Sequence, residues 1–147
     1  MASYSLERTV NIPMNKVWAM IGDFTNSPGS DISVKVEKYG DLKSGGVGTI
    51  REITIGKACV REVLETVDPP QGFTYRILSG APLKDYVGKV TLEDKGEDTI
   101  IRWSAELTPK IPFTGGICCK LAKRAANKLI DSVEKDNAKL RNGLTSA

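Results

Sequence analysis

Apolar and polar residues alternate with a period of two through most of this chain, and the period changes to a helical one near its end. Tyr4 to Ile12 alternate as a first strand, with Leu6, Val10 and Ile12 offered to a core. Pro13 follows, where its fixed φ and missing N–H suit the start of a helix. Met14, Val17, Trp18 and Ile21 form one face of a short helix that Gly22 can end, and Thr25 to Asp31 read as a loop or a broken second helix. Strands are then predicted near Ser33–Tyr39, Val47–Ile55, Ala58–Val67, Phe73–Ser79, Asp85–Glu93 and Thr99–Leu107. Between them lie turn residues: Gly45-Gly46, Gly56-Lys57, Pro69-Pro70-Gln71-Gly72, Gly80-Ala81-Pro82 and Lys95-Gly96-Glu97.

From Ile117 to about Leu140 the pattern is that of one long helix. At 100° per residue, Cys118, Leu121, Ala122, Ala125, Leu129 and Val133 share a side, flanked by Ala126 and Ile130. Lys120, Lys123, Arg124, Lys128, Asp131, Glu134 and Lys135 fall opposite. A helix that merely plugs a sheet carries large side chains at most apolar sites, because interiors are close-packed. Alanines at three of these sites leave space. The element order predicts an α+β protein: an antiparallel meander with its helices on one face.

Alternation also assigns faces. Phe73, Tyr75 and Ile77 point inward on one strand, Tyr86, Gly88, Val90 and Leu92 on the next, and Thr99, Ile101, Trp103, Ala105 and Leu107 on the last. The middle strands are less tidy. Ile53 and Ile55 inward bring Arg51 with them, and Val60 and Leu64 inward bring Glu62, whereas the other parity of that strand buries Arg61 and Glu65. An isolated buried charge is expensive, so Arg51 and Glu62 are expected to pair, to bond Tyr75 or Tyr86, or to meet water in an open cavity.

Composition narrows the chemistry. The 147 residues and 40 % hydrophobic content fit one domain, 1–147, with 142–147 expected as a frayed tail. The absence of histidine removes Ser-His-Asp, Cys-His and HExxH chemistry, and no glycine-rich phosphate cradle is present. No metal or other cofactor is expected. A net charge of +3 from 21 basic and 18 acidic residues, interleaved outside the last helix, argues against nucleic acid as a partner. Cys59, Cys118 and Cys119 are an odd set and are expected as reduced thiols. With no segment near the roughly 20 apolar residues of a membrane span and no signal-peptide pattern, a cytoplasmic chain is expected, acting as a monomer or homodimer.

Several stretches resemble one family. Ile12-Pro13 with Val17-Trp18 and Ile21-Gly22-Asp23-Phe24 come first, followed by Val47-Gly48-Thr49-Ile50-Arg51 and Arg61-Glu62-Val63-Leu64-Glu65. Ser79 to Tyr86, Ile101-Arg102-Trp103 and Pro109 to Gly115 complete the set. In order and spacing they are similar to the START-related, birch-pollen-allergen-like SRPBCC superfamily of polyketide cyclase/dehydrase and lipid transport proteins, in the manner of a bacterial single-domain member. The resemblance implies a helix-grip fold, a curved seven-stranded antiparallel sheet wrapped around the C-terminal helix with one or two short helices after the first strand. It also implies a cavity for a hydrophobic ligand. The branch it looks closest to includes abscisic-acid receptors and lachrymatory-factor-synthase-like proteins, and implies pocket roles for Arg51, Glu62 and Tyr86, with Gly80-Ala81-Pro82-Leu83 as a loop over the mouth. The branch's Leu-Pro-Ala gate is reduced here to Ile55-Gly56-Lys57-Ala58, and its tryptophan is missing from Ser27 to Asp31.

Three readings follow. The first is a carrier or sensor whose pocket is lined by Arg51, Ile53, Glu62, Tyr75, Ile77, Tyr86, Trp103, Ala125 and Leu129, for a hydrophobic small molecule or lipid, as against a core with only a small void. Arg51 can fix a carboxylate or phenolate, and Tyr75 or Tyr86 a carbonyl. The second is an isomerase, cyclase or dehydratase with Glu62 as proton shuttle and Arg51 stabilising an oxyanion. The third is contact with anionic membranes through Lys120, Lys123, Arg124 and Lys128, near Phe113 and Ile117, as against a merely solvated helix face.

Overall fold

The computed structural model describes residues 1–29 and 31–145, with side chains up to Leu140. Strand β1 (Ala2–Val10) leads into the single-turn helix α1 (Met14–Val17), which continues as a wide turn over Trp18–Gly22. Strands β2 (Ile32–Lys38), β3 (Ile50–Ile55), β4 (Ala58–Asp68), β5 (Gly72–Ser79), β6 (Leu83–Lys95) and β7 (Asp98–Pro109) follow, and then helix α2 (Gly115–Thr145). Thr25–Gly29 form a loop rather than a second helix.

All seven strands make one antiparallel sheet in the order β1-β7-β6-β5-β4-β3-β2. Consecutive hairpins build β2 to β7, and β1 adds to the far edge, so the chain crosses the whole sheet once, through α1. This is the helix-grip architecture. The inward rows of β5, β6 and β7 are those that alternation assigns: Phe73, Tyr75, Tyr86, Val90, Leu92, Ile101, Trp103, Ala105 and Leu107 are all buried.

The untidy parity of β4 has a structural cause. Register shifts fall between Arg61 and Glu62 and between Leu64 and Thr66, so Glu65 is an extra residue opposite β5. The bulge keeps Val60, Glu62 and Leu64 on the inner face while letting Val67 turn inward after it. Strand β3 begins later than Val47, because Gly45, Gly46 and Gly48 adopt φ of 73°, 95° and 91° and fold the chain back before pairing starts.

Helix α2 starts two residues before Ile117 and runs past Leu140 to Thr145; of the expected frayed tail, 146–147 lie outside the described residues. Its apolar side is divided in two. Cys119, Ala126, Ile130, Val133 and Asn137 are buried, while Cys118, Ala122 and Ala125 are half-buried and Leu121 is 58 % exposed. Arg8, inward on β1, donates to the Asn127 carbonyl at 3.1 Å, pairs with Asp131 at 2.8 Å and also pairs with Glu134. With the 119–126–130–133 stripe in the core, the alanine edge overhangs open space.

Candidate functional site

The space beneath the alanine edge is a cavity of about 250 Å³. All nine residues singled out from the sequence line it: Arg51 and Ile53 from β3, Glu62 from β4, Tyr75 and Ile77 from β5, Tyr86 from β6, Trp103 from β7, and Ala125 and Leu129 from α2. Its mouth lies between the β3–β4 turn at Ile55–Ala58, the Gly80–Leu83 loop and the first turns of α2 at Cys118, Leu121 and Ala122. The loop is held by a bond from the Lys110 amide to the Pro82 carbonyl at 2.9 Å.

Arg51 and Glu62 face each other directly across the β3–β4 ladder. Both are buried, at 6 % and 7 % exposure. Arg51 Nε donates to Glu62 Oε1 at 3.1 Å and Nη2 pairs with the same oxygen at 3.0 Å, while Nη1 donates to the Phe24 carbonyl at 3.4 Å. The Phe24 ring covers one face of the guanidinium, 3.7 Å from its centroid. Of the three fates open to these charges, mutual pairing is the one adopted. The second Glu62 oxygen, Oε2, has no hydrogen-bond partner among the described residues, and Glu62 borders the cavity. Burial pushes the Glu62 carboxyl above the ordinary carboxylate value, against the opposing pull of Arg51.

A chain of hydroxyls also borders the cavity. Trp103 Nε1 donates to Tyr75 Oη at 3.0 Å, Tyr75 and Tyr86 share a bond of 3.0 Å, and Tyr86 and Tyr4 share one of 2.7 Å. Two O–H···O bonds among three hydroxyls consume two of their three hydrogens. Whichever way the chain is directed, one phenolic hydrogen is left to donate. Burial holds all three phenols far above the ordinary tyrosine value, with their mutual repulsion in the ionised form adding to it, so they stay neutral donors.

Tyr4 and Gly88 shape the pocket beyond the lining that the sequence predicts, although Gly88 is among its inward positions. Tyr4 was visible only as the start of a strand, although carrying the alternation of Leu6 and Val10 back by one step places it inward. Gly88 is the cross-strand partner of Tyr75, whose ring occupies the space a side chain would need: a Cβ there would sit 2.3 Å from Tyr75 Cε1 and Cζ. The pocket's aromatic wall thus depends on a residue with no side chain. Phe24, Phe73, Tyr75, Tyr86 and Trp103 form a continuous ring cluster with centroids between 5.8 and 6.4 Å apart.

Among the described residues, no cluster of His, Cys, Asp and Glu is arranged to hold a metal, and no helix is long and apolar enough to cross a membrane. The three cysteines are free thiols, with Cys59 exposed and Cys119 buried.

Known proteins place this architecture. A START superfamily protein from Mycobacterium smegmatis superposes with a TM-score of 0.77 at 13 % identity, over 95 % of this chain and 99 % of that one. The protein XoxI from Bacillus cereus gives 0.75 at 18 % identity, over 96 % and 99 %. Ara h 8.0201 gives 0.69 at 20 % identity, over 90 % and 94 %. Identities this low establish the shared fold only. No curated protein matches the sequence. Residues 1–140 match the family described as polyketide cyclase / dehydrase and lipid transport, and the chain belongs to that family.

Proposed function

We propose that this protein binds a small, uncharged, largely apolar molecule bearing a hydrogen-bond acceptor, and works as its carrier or sensor. Family and fold are consistent with hydrophobic ligand binding. The finer reading is carried by the polar corner: its two formal charges cancel inside the protein. Arg51 already has its counter-ion, so a ligand carboxylate entering the cavity would meet Glu62 as well as Arg51, and would lose its hydration for little return. What the cavity offers without an internal competitor is one phenolic O–H and the free Oε2 of Glu62. A carbonyl or ether oxygen suits the first, and a ligand hydroxyl suits the second. The volume lies below the roughly 300–1,000 Å³ of sites that take drug-sized molecules. A one- or two-ring ketone or phenol fits this description better than a diacyl lipid.

Catalysis by Glu62 and Arg51 is the lesser reading, because each is the other's partner before any substrate arrives.

Three naphthalene congeners test the proposal by calorimetry and thermal shift. 2-Acetonaphthone is expected to bind more tightly than naphthalene, and 2-naphthoate more weakly than either. Naphthoate binding as tightly as the ketone would overturn the claim of a neutral ligand. Native mass spectrometry of freshly purified protein then identifies any retained molecule.

A further inference from the structure

The outer rim of the cavity mouth combines two features that a merely solvated surface does not need. The first is apolar. Ile111, Phe113, Ile117 and Leu121 are all exposed, Phe113 completely, and the last three recur at every fourth residue along the approach to α2 and its first turns. Phe113 also holds φ of 67°, the only positive φ at a non-glycine among the described residues. The turn is fixed in that shape by Thr114 Oγ1 donating to the Ile111 carbonyl at 2.6 Å and by the Cys118 amide donating to the Thr114 carbonyl at 3.0 Å. A strained backbone thus presents an aromatic ring to the outside.

The second feature is charge. No acidic residue occurs between Glu106 and Asp131, whereas Lys110, Lys120, Lys123, Arg124 and Lys128 all do. Lys57, in the β3–β4 turn, and Lys84, the second residue of β6, add to them as chain neighbours of the lining residues Ala58 and Leu83. Lys128 reaches over to the β3–β4 turn, where a Cβ on Gly56 would lie 3.4 Å from its Nζ. None of these cations has a carboxylate within salt-bridge distance among the described residues, in contrast to Arg8, Arg61, Arg76 and Arg102 on the sheet.

We infer that this rim docks on the surface of a bilayer containing anionic lipid. Unpaired cations around protruding apolar side chains complement a negatively charged interface with hydrocarbon beneath it, with the basic groups at headgroup level and the Phe113 and Ile117 side chains below. The continuity of Leu121 with both the rim and the cavity lining gives the surface a use: an apolar ligand dissolved in the bilayer meets the mouth without crossing water. Docking does not depend on which ligand the cavity takes, so the two proposals fail separately.

The test is co-sedimentation of the full chain with vesicles of phosphatidylcholine alone and of seven parts phosphatidylcholine to three parts phosphatidylglycerol. Binding is expected only to the mixed vesicles, weakening as salt is raised. Lys120→Glu with Lys123→Glu is expected to lower it at least tenfold, and Phe113→Ser with Ile117→Ser to lower it comparably, while Lys89→Glu on the outer face of β6 leaves it unchanged. All these side chains are exposed, so unchanged thermal melting confirms folding of each variant. A Phe113→Trp variant provides a readout independent of the loss-of-binding variants: its emission is expected to shift to the blue on mixed vesicles. The inference is overturned if mixed vesicles do not bind, or if binding survives removal of Phe113 and Ile117. It is equally overturned if single-stranded RNA binds as tightly as the vesicles and displaces them, which would make the rim a general polyanion site.

Discussion

The Arg51–Glu62 corner allows a quantitative check of the claim that the cavity is internally neutral. Consider Arg51→Met, Glu62→Leu and the double variant. Unit charges about 4 Å apart attract by roughly 4 kcal/mol at an effective dielectric near 20, and removing one member of a buried pair typically costs about 3–5 kcal/mol. Each single variant is therefore expected to lose about 3–5 kcal/mol in urea denaturation at neutral pH. The double variant exchanges both desolvation costs for apolar packing and is expected within about 1 kcal/mol of the native chain.

The two single losses should differ in their pH dependence. In the native protein the folded Glu62 carboxyl sits above its ordinary value of 4.5. A raised folded pKa favours the protonated form, so this group's contribution is fully present below 4.5 and is lost as pH rises through the folded value. Arg51→Met deletes the one influence that lowers it, moving the window to higher pH. The Arg51→Met penalty should then shrink on acidification, by up to about 1.4 kcal/mol per pH unit within the window, because Glu62 can take up a proton. The Glu62→Leu penalty should not shrink, because arginine stays charged. If the single losses simply add in the double variant, the two charges are solvated independently. Arg51 would then be free to hold an anion, and the argument for a neutral ligand would collapse.

Other expectations follow from the same geometry. Gly88→Ala drives a Cβ into the Tyr75 ring, so a loss of about 1–3 kcal/mol is expected, with weaker ketone binding, measured by urea titration and calorimetry; a neutral effect on both would mean the ring has room to move. Tyr86→Phe removes the middle hydroxyl of the chain and should cost about 1–2 kcal/mol while narrowing the preference for 2-acetonaphthone over naphthalene. Ala125→Leu places bulk in the cavity from a half-buried site, so probe binding should fall at least tenfold with stability within about 1 kcal/mol of native; an unchanged affinity would locate the ligand elsewhere.

Period-two alternation was enough to orient β5, β6 and β7, since each has one wet and one dry face and a slip of one residue would exchange them. It also brought Arg51 and Glu62 to the same side of adjacent strands. The alanines of the last helix correctly indicated space, yet the helix as drawn from sequence had a single apolar face. In the fold that face is divided: Ala126, Ile130 and Val133 enter the core while Cys118, Ala122 and Ala125 border the cavity, a split that only packing against the sheet decides. The third strand was extended too far towards its N-terminus because glycine turns and strand starts share residues at this point.

Local sequence thus determined the elements, their inner faces and the residues able to reach a cavity, because alternation, helical period and turn chemistry act over a few positions. Tertiary structure alone decided the partners. The register between β3 and β4 set Arg51 opposite Glu62 and cancelled their charges. The return of β1 to the edge of β7 brought the Tyr4 hydroxyl to Tyr86, and the empty face of Gly88 admitted the Tyr75 ring. Whether a buried arginine is a ligand anchor or half of a closed pair depends on what lies a few ångströms away, and distances of that kind between residues far apart in the chain exist only once it has folded.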